Sequence, residues 1–214
     1  MAQLTLLLQN SSGQLGVGIA EGERLLFDSS VDSSLTASRN VLEHLESARS
    51  QLGQSLDDMG EIFVDVGPGG LGATRTTAAF ANALAYAKGI AVTGVNAFSL
   101  IGSHVARSTD RPVICIRHAA RPHFYVGRFE DGRLHDFAFL EKQAVLDLVT
   151  RTRDSAVFAG KFKFGPDDVG IAPPSVANAA SMLSFLLFAR SVDHPSRGAA
   201  RVFPITESLE AHYL

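Results

Sequence analysis

A glycine-rich segment beside an acidic residue is the part of this sequence best suited to chemistry. Residues 65–75 read Asp-Val-Gly-Pro-Gly-Gly-Leu-Gly-Ala-Thr-Arg. They lie between a run typical of a buried strand, Glu61–Val66, and an alanine-rich run typical of a helix, Ala73–Lys88. Glycine lets a backbone approach a ligand closely, and the N–H groups at a helix start attract anions. The segment could therefore hold a phosphate group, with Asp65 as the acid beside it.

The glycine spacing matches a dinucleotide-binding pattern, but its surroundings do not. Gly67, Gly69 and Gly72 have the GxGxxG spacing. That fold needs an acidic residue about 20 positions later to bind a ribose hydroxyl, whereas no Asp or Glu occurs between Asp65 and Asp110. The segment also follows the fourth predicted strand instead of the first, and no Gly-Lys-Ser/Thr of a P-loop follows it. The sequence therefore argues against both of these nucleotide sites.

The histidines and the cysteine do not form a known metal or nucleophile motif. None of the histidines has the H-x-x-x-H or H-E-x-x-H spacing that places two metal ligands on one helix face. No G-x-S-x-G nucleophile elbow is present. Cys115 lies in the apolar run Val113–Ile116, which predicts a buried, inert thiol. We expect no metal site in this chain.

The composition limits the classes of protein to which the chain can belong. Its 214 residues, 46% of them hydrophobic, can bury a core in one large domain or two small ones. A net charge of −3 argues against a dedicated nucleic-acid binder. No apolar run approaches the roughly 20 residues that span a membrane, and the start MAQLTLLLQN does not resemble a secretory signal. Together with the single cysteine, these features predict a cytoplasmic protein without membrane contact.

The second half of the chain begins with a local excess of basic residues. The arginines of this region are Arg107, Arg111, Arg117, Arg121, Arg128 and Arg133, against the acids Asp110, Glu130 and Asp131. Such a cluster could contact nucleic-acid phosphates, but we favour the interpretation that these are solvated hairpin ends. Lys161-Phe162-Lys163-Phe164 adds an alternating strip, which predicts packing within the domain or contact with single-stranded nucleic acid.

The predicted elements follow the same order twice. In the first half they are strands Leu4–Leu8, Leu15–Ala20 and Arg24–Asp28, a helix near Ser38–Leu52, strand Glu61–Val66, helix Ala73–Lys88 and strand Ile90–Val95. In the second half they are strands Val113–Arg117, Phe124–Phe129 and Leu134–Leu140, a helix near Lys142–Thr152, strand Ala156–Ala159 and helix Val176–Ser191.

Two such units describe an α/β fold of the actin-like ATPase (ASKHA, ribonuclease H-like) type, with two βββαβα subdomains. No residue-level repeat accompanies the repeated order. We place the boundary in the polar stretch Ala106–Arg111, which gives an N-terminal subdomain of residues 1–108 and a smaller C-terminal subdomain of residues 109–214.

Residues 61–101 resemble the TsaB (YeaZ) family. Members typically read GPGSFTGLR, then an alanine-rich helix, then KGLA and IPLVGVSSL. Gly67, Pro68, Gly69 and Arg75 match the first motif, and Lys88-Gly89 and Val92–Val95 match the later ones in place and character. The resemblance implies the actin-like fold that the element order predicts.

The alanine-rich helix and the helix before it are predicted to form a pairing surface. Alanine leaves room for close approach of another helix, although a helix packed only on its own sheet would look similar. In TsaB-like proteins these two helices pair with a second copy or with the related subunit TsaD. The residues of this predicted surface are Arg39, Val41, Leu42 and Leu45 on the first helix and Arg75, Ala79, Asn82 and Tyr86 on the second. The resemblance assigns Gly67, Pro68, Gly69 and Gly72 to the loop that starts the second helix.

The sequence departs from the family pattern where carboxylates would be needed. An active actin-like ATPase uses acids near its phosphate loops to hold a metal and orient water. The first strand ends in Gln9-Asn10 where an Asp is common, and Arg117 stands where the family often has Asp. Asp65 could act in catalysis, but capping of the loop is the interpretation we favour.

The resemblance therefore implies a non-catalytic subunit that supports TsaD in transferring a threonylcarbamoyl group to tRNA adenosine. The partners implied are a TsaD-like subunit and a TsaE-like ATPase, with a possible homodimer and indirect contact with tRNA. No cofactor is expected in this chain, although ATP could lie at an interface of the complex. Two alternatives remain: a nucleotide-binding phosphotransferase or hydrolase that uses Asp65, and a stand-alone homodimeric binding protein.

Overall fold

The structure, a computed structural model, describes residues 3–53, 55–119, 122–162 and 201–202. Its strands are β1 Leu4–Gln9, β2 Gly16–Glu21, β3 Arg24–Asp28, β4 Met59–Asp65, β5 Ala91–Val95, β6 Val113–His118, β7 His123–Glu130, β8 Arg133–Glu141, β9 Val157–Lys161 and β10 Arg201–Val202. Its α-helices are α1 Val41–Leu52, α2 Leu71–Lys88, α3 Ala97–Val105 and α4 Lys142–Thr152. The contacts divide the chain into two units, and the second unit begins at Phe98.

The first unit is built on a six-stranded sheet with the order β10-β5-β4-β1-β2-β3. Tight turns at Gly13 and Gly22, whose φ angles are 92° and 60°, return the chain into the antiparallel neighbours β2 and β3. β4 and β5 run parallel to β1, each reached through a helix. All six residues of β1 are buried, which is typical of a central strand.

α1 and α2 pack on the same face of the first sheet. Leu4, Leu6 and Leu8 alternate toward this face and share one apolar core with both helices. Asn40 caps α1 by accepting a hydrogen bond from the Leu42 N–H. Both helices end at a glycine in the left-handed conformation, Gly53 and Gly89.

The second unit is built on a four-stranded sheet with the order β8-β7-β6-β9. Asp131 and Gly132 both have positive φ angles, 50° and 75°, as expected for a tight hairpin turn between β7 and β8. α4 covers one face of this sheet through Val145 and Val149. The opposite face contacts α3, because Phe98 lies against Phe137 with ring centroids 5.7 Å apart.

The predicted actin-like α/β fold is confirmed. The orders β3-β2-β1-β4 and β8-β7-β6-β9 are the same order in two sheets, so the repeated element order corresponds to a repeated topology. α2 begins at Leu71, two residues before its predicted start. The predicted helix Val176–Ser191 lies outside the described residues.

One helix of the described chain was not predicted. α3 occupies Ala97–Val105, and it packs in the second unit through Phe98 and through Gly102, which lies close against Phe129. The second unit therefore begins at Phe98, before the boundary predicted in Ala106–Arg111.

Candidate functional site

Asp65 joins the β1–β2 hairpin to the glycine loop. Its Oδ1 accepts hydrogen bonds from the Ser11 hydroxyl at 2.7 Å and the Gly67 N–H at 2.9 Å. Its Oδ2 accepts from the N–H groups of Ser11 at 2.9 Å and Asn10 at 3.4 Å. These contacts arise because β1 and β4 are parallel neighbours, so the residues at their carboxyl ends meet at one edge of the sheet. Both carboxylate oxygens are thus used within the chain.

Asp65 is completely buried. Burial raises the pKa of this carboxyl because the charged form loses its hydration, and the hydrogen bonds from Ser11, Gly67 and Asn10 oppose that rise. The three backbone N–H donors suit the ionised carboxylate, which has only acceptor oxygens. This arrangement fits a group that fixes two loops in place better than one that faces a substrate.

The glycines of the loop divide into two kinds. Gly67 has a φ of +98°, where side chains are strained. A Cβ on Gly69 would lie 2.5 Å from Thr74 Cγ2 and 3.0 Å from Ser11 Oγ, so this position has no room for a side chain. Gly72 has nothing within 4 Å of an added Cβ. Close packing therefore requires glycine at 69, whereas Gly72 lies open at the start of α2.

Pro68 is buried between these glycines, and the Gly67–Pro68 peptide is cis. The Gly67 carbonyl accepts a hydrogen bond from the Ala97 N–H at 2.6 Å. The loop is thus held at its first residue by both Asp65 and Ala97.

The two amide side chains at the carboxyl end of β1, Gln9 and Asn10, are also enclosed. Gln9 Nε2 donates to the Gln14 carbonyl at 2.6 Å and to Ser12 Oγ at 2.9 Å, which closes the β1–β2 turn. Asn10 Nδ2 donates to the Ala73 carbonyl at 3.2 Å and to Thr77 Oγ1 at 3.1 Å, which ties the turn to α2. Within the described chain, Asn10 Oδ1 is a buried acceptor without a hydrogen-bond partner.

Ser11 and Thr77 were missed by the sequence reasoning, although both belong to this network. Ser11 is the second residue after β1, which ends at Gln9, and the parallel neighbour of that strand ends at Asp65. A hydroxyl and an acid at adjacent strand ends are the signal that could have paired them.

The predicted pairing surface is only partly on the surface. Leu42 and Tyr86 are 63% and 55% exposed, which is unusual for large hydrophobic side chains. Arg39, Arg75 and Ala79 are exposed as well. Asn82 is half-buried.

Two of the residues predicted for this surface belong to the core instead. Val41 is 5% exposed and Leu45 packs partly buried against the same core. They point inward because α1 turns one apolar side toward β2 and β3. These two residues hold α1 in place, whereas Leu42 and Arg39 are exposed.

The basic cluster of the second unit is partly neutralised. Arg128 contacts Glu130 at 2.7 Å and Asp136 at 3.0 Å. Arg133 Nε donates to His135 Nε2 at 3.2 Å. These ion pairs support the interpretation of Arg128 as part of a solvated hairpin end.

Cys115 is buried, and burial raises the pKa of its thiol well above the usual range, as expected for an inert thiol. Across residues 3–53, 55–119 and 122–162, no group of three or more His, Cys, Asp or Glu side chains could hold a metal ion. No helix in the described part of the chain is long and apolar enough to cross a membrane.

The chain matches a known protein family. Residues 33–147 match the family model described as TsaD, tRNA N6-adenosine threonylcarbamoyltransferase. No curated protein matches the chain.

Two solved structures share the fold over nearly the whole chain. One is an uncharacterized protein with similarity to peptidase YEAZ from Pseudomonas aeruginosa, with 19% identity, a TM-score of 0.65, and coverage of 98% of this chain and 95% of that one. The other is YeaZ from Pseudomonas aeruginosa, with 17% identity, a TM-score of 0.65, and coverage of 98% and 97%.

Proposed function

Because this chain belongs to the TsaD family, described as tRNA N6-adenosine threonylcarbamoyltransferase, we propose that it acts in the threonylcarbamoyl modification of tRNA. Its role is that of a subunit without a catalytic centre of its own, which supports a TsaD-like subunit. The family match covers α1, the glycine loop and α2, which are the elements that form the proposed contact surface.

The environment of Asp65 is the observation that carries the non-catalytic role. A catalytic carboxylate in an actin-like site must reach a metal ion or a water molecule beside the phosphates. Asp65 is fully buried, and its two oxygens accept four hydrogen bonds from Asn10, Ser11 and Gly67. Gln9 and Asn10 supply amides, which bind divalent cations weakly.

The exposed side of α1 and α2 supports docking of a partner. Leu42 and Tyr86 present apolar surface to solvent, and Ala79 leaves room for close helix approach. A TsaD-like subunit is the proposed occupant, and a second copy of this chain could use the same surface. A TsaE-like ATPase would bind to the complex of these subunits, and ATP would lie at an interface of that complex.

Co-elution with the TsaD-like subunit of the same organism tests this proposal. The two proteins are mixed with and without ATP and analysed by size-exclusion chromatography with light scattering. We expect a one-to-one complex. Ala79→Arg should weaken that complex by at least about tenfold, because a long charged side chain would be buried against the partner.

Ala87→Arg is the matched control, since Ala87 is an exposed alanine of the same helix that lies outside the proposed surface. It should leave the complex unchanged. If no complex forms, or if both variants weaken it equally, the proposed partner or its surface is wrong.

A further inference from the structure

A group of aromatic side chains lies along the neighbouring strands β7 and β8, on the face of the second sheet opposite α4. His123 and Phe139 stack with ring centroids 4.5 Å apart and planes inclined by 11°. Tyr125 lies next to Phe139, with centroids 5.5 Å apart, and next to Phe137 at 6.0 Å. Phe137 in turn contacts Phe98 of α3 at 5.7 Å. We call His123, Tyr125, Phe137 and Phe139 the aromatic strip.

The strip is covered at one end and exposed at the other. Phe98 covers the Phe137 end, and Tyr125 is 9% exposed beneath its neighbours. Phe139 is 39% exposed, and the His123 side chain is 31% exposed. The part of the strip that meets solvent is therefore the nearly parallel pair His123 and Phe139, and Tyr125 contacts this pair through Phe139.

A positive charge lies on the same face as the exposed rings. Arg117 is directly opposite Tyr125 in the β6–β7 register, and Tyr125 is opposite Phe139 in the β7–β8 register. Directly opposed residues share a face of the sheet, so Arg117 lies about 10 Å from Phe139, two strand spacings away. The Glu141 carboxylate, whose side chain is 75% exposed, lies 4.0 Å from His123 Nε2.

Aromatic rings on one face of a sheet, with an arginine on the same face, suit an unpaired nucleotide. Sheet-borne aromatic side chains stack RNA bases, and a neighbouring cation attracts the phosphate. A duplex cannot use such a site, because its bases are already stacked and paired. A protein partner would need only the apolar surface and would not need the arginine.

We propose that the exposed end of the aromatic strip binds an unpaired nucleotide of tRNA, with the base stacked on an outer face of the His123–Phe139 pair and the phosphate near Arg117. The inference rests on the proposed function, since tRNA is the substrate of the family reaction. It assigns direct RNA contact to the second unit, apart from the surface formed by α1 and α2.

Fluorescence anisotropy with the full chain tests the inference. The probe is a labelled single-stranded RNA of about ten nucleotides, a length that suits such sites, and the control is the same RNA annealed to its complement. The single strand should bind, and the duplex should bind at least about tenfold more weakly. Phe139→Ala should weaken binding about five- to 150-fold, the range for loss of one stacked base. Phe139→Trp should restore it.

Charge variants make a second, independent measurement. Arg117→Gln should reduce the slope of log Kd against log salt by about one, as expected for loss of one phosphate contact. Glu141→Gln should tighten binding. Val31→Ala, at an exposed hydrophobic residue of the first unit outside both proposed surfaces, should change neither quantity.

The unchanged chain gives a readout that does not depend on any variant folding. Photo-cross-linking to RNA that contains 4-thiouridine should label a peptide within residues 123–141. Absence of RNA binding, equal binding of single strand and duplex, or full binding by a folded Phe139→Ala chain would overturn the inference.

The two proposals can fail separately. If Phe139→Ala weakens co-elution with the TsaD-like subunit and leaves RNA binding intact, the strip is a protein contact and this inference is wrong. If RNA binding depends on Phe139 but no complex with that subunit forms, the proposed partner is wrong instead.

Discussion

Asp65 shows how the same residue type can serve chemistry or architecture. An acid before a glycine loop suggests catalysis when only the sequence is known. In the structure its oxygens accept from Asn10, Ser11 and Gly67, so two loops depend on one buried group. Removal of the charge should therefore lower the free energy of unfolding, whatever its effect on a reaction.

Asp65→Asn should lower the free energy of unfolding by about 2–4 kcal/mol, because an amide N–H₂ would face N–H or O–H donors in place of an acceptor oxygen. Urea unfolding followed by circular dichroism measures this change. Asp57→Asn is the control, since the Asp57 side chain is 88% exposed, and its effect should stay within about 0.5 kcal/mol. A stable Asp65→Asn chain that has lost saturable ATP binding would favour the phosphotransferase alternative.

His44 gives the first unit a dependence on pH. It is fully buried on α1, and burial lowers its pKa below the ordinary 6.5, while the Ser38 backbone and the carboxylates of Glu43 and Asp32 oppose this. The unfolded chain therefore takes up a proton more readily as the pH falls below about 6.5, which favours unfolding.

Between pH 7 and pH 5, the stability of His44→Leu should fall less, or rise more, than that of the unchanged chain, because the raised pKa of Asp65 affects both chains alike. Burial also lowers the pKa of His104, so some dependence should remain in the variant. Urea midpoints at several pH values measure the difference. If the urea midpoints of the two chains change by the same amount over this pH interval, protonation of His44 is not coupled to unfolding.

At the scale of elements, some positions of the glycine loop require glycine and one does not. Gly69→Ala should destabilise the protein by about 1–3 kcal/mol, because the new methyl group would overlap Thr74 and Ser11. Gly72→Ala should be neutral or stabilising by up to about 1 kcal/mol, because the position is open and lies in the first turn of α2. Thermal unfolding of the two variants side by side checks both. Equal losses would mean that the close packing around Gly69 is not what holds the loop.

Elements with a strong local signal could be predicted from the sequence. The bounds of α4 and the end of α1 at Leu52 were predicted correctly. α3 could not be recognised, because a short apolar run such as Phe98–Ile101 fits a buried strand as well as a helix. α2 began earlier than expected because Gly70 and Gly72 are tolerated at a helix start.

The candidate site was harder to predict, because its contacts are distant in sequence. Asp65 and Ser11 are separated by 54 residues, and only the parallel pairing of β1 with β4 brings them together. Spacing also placed Val41 and Leu45 on the pairing surface, whereas packing of α1 on the sheet turned them into the core.

At the scale of the whole molecule, the repeated element order is the strongest feature that the sequence predicted. The predicted resemblance to the TsaB (YeaZ) family is confirmed at the level of the fold, which the chain shares with YeaZ from Pseudomonas aeruginosa over almost its full length. The two units carry different candidate surfaces: α1 and α2 for a protein partner, and the aromatic strip for RNA. This division suits a subunit that brings components together.

Transfer of a labelled threonylcarbamoyl group to tRNA tests the central claim most directly. The reaction is run with this chain alone, with the TsaD-like subunit and ATPase alone, and with all of them together. We expect no transfer by this chain alone and a gain of at least about tenfold when it joins the others, lost again in Ala79→Arg. Transfer by this chain alone, or equal transfer without it, would mean that the chain is not a supporting subunit of this reaction.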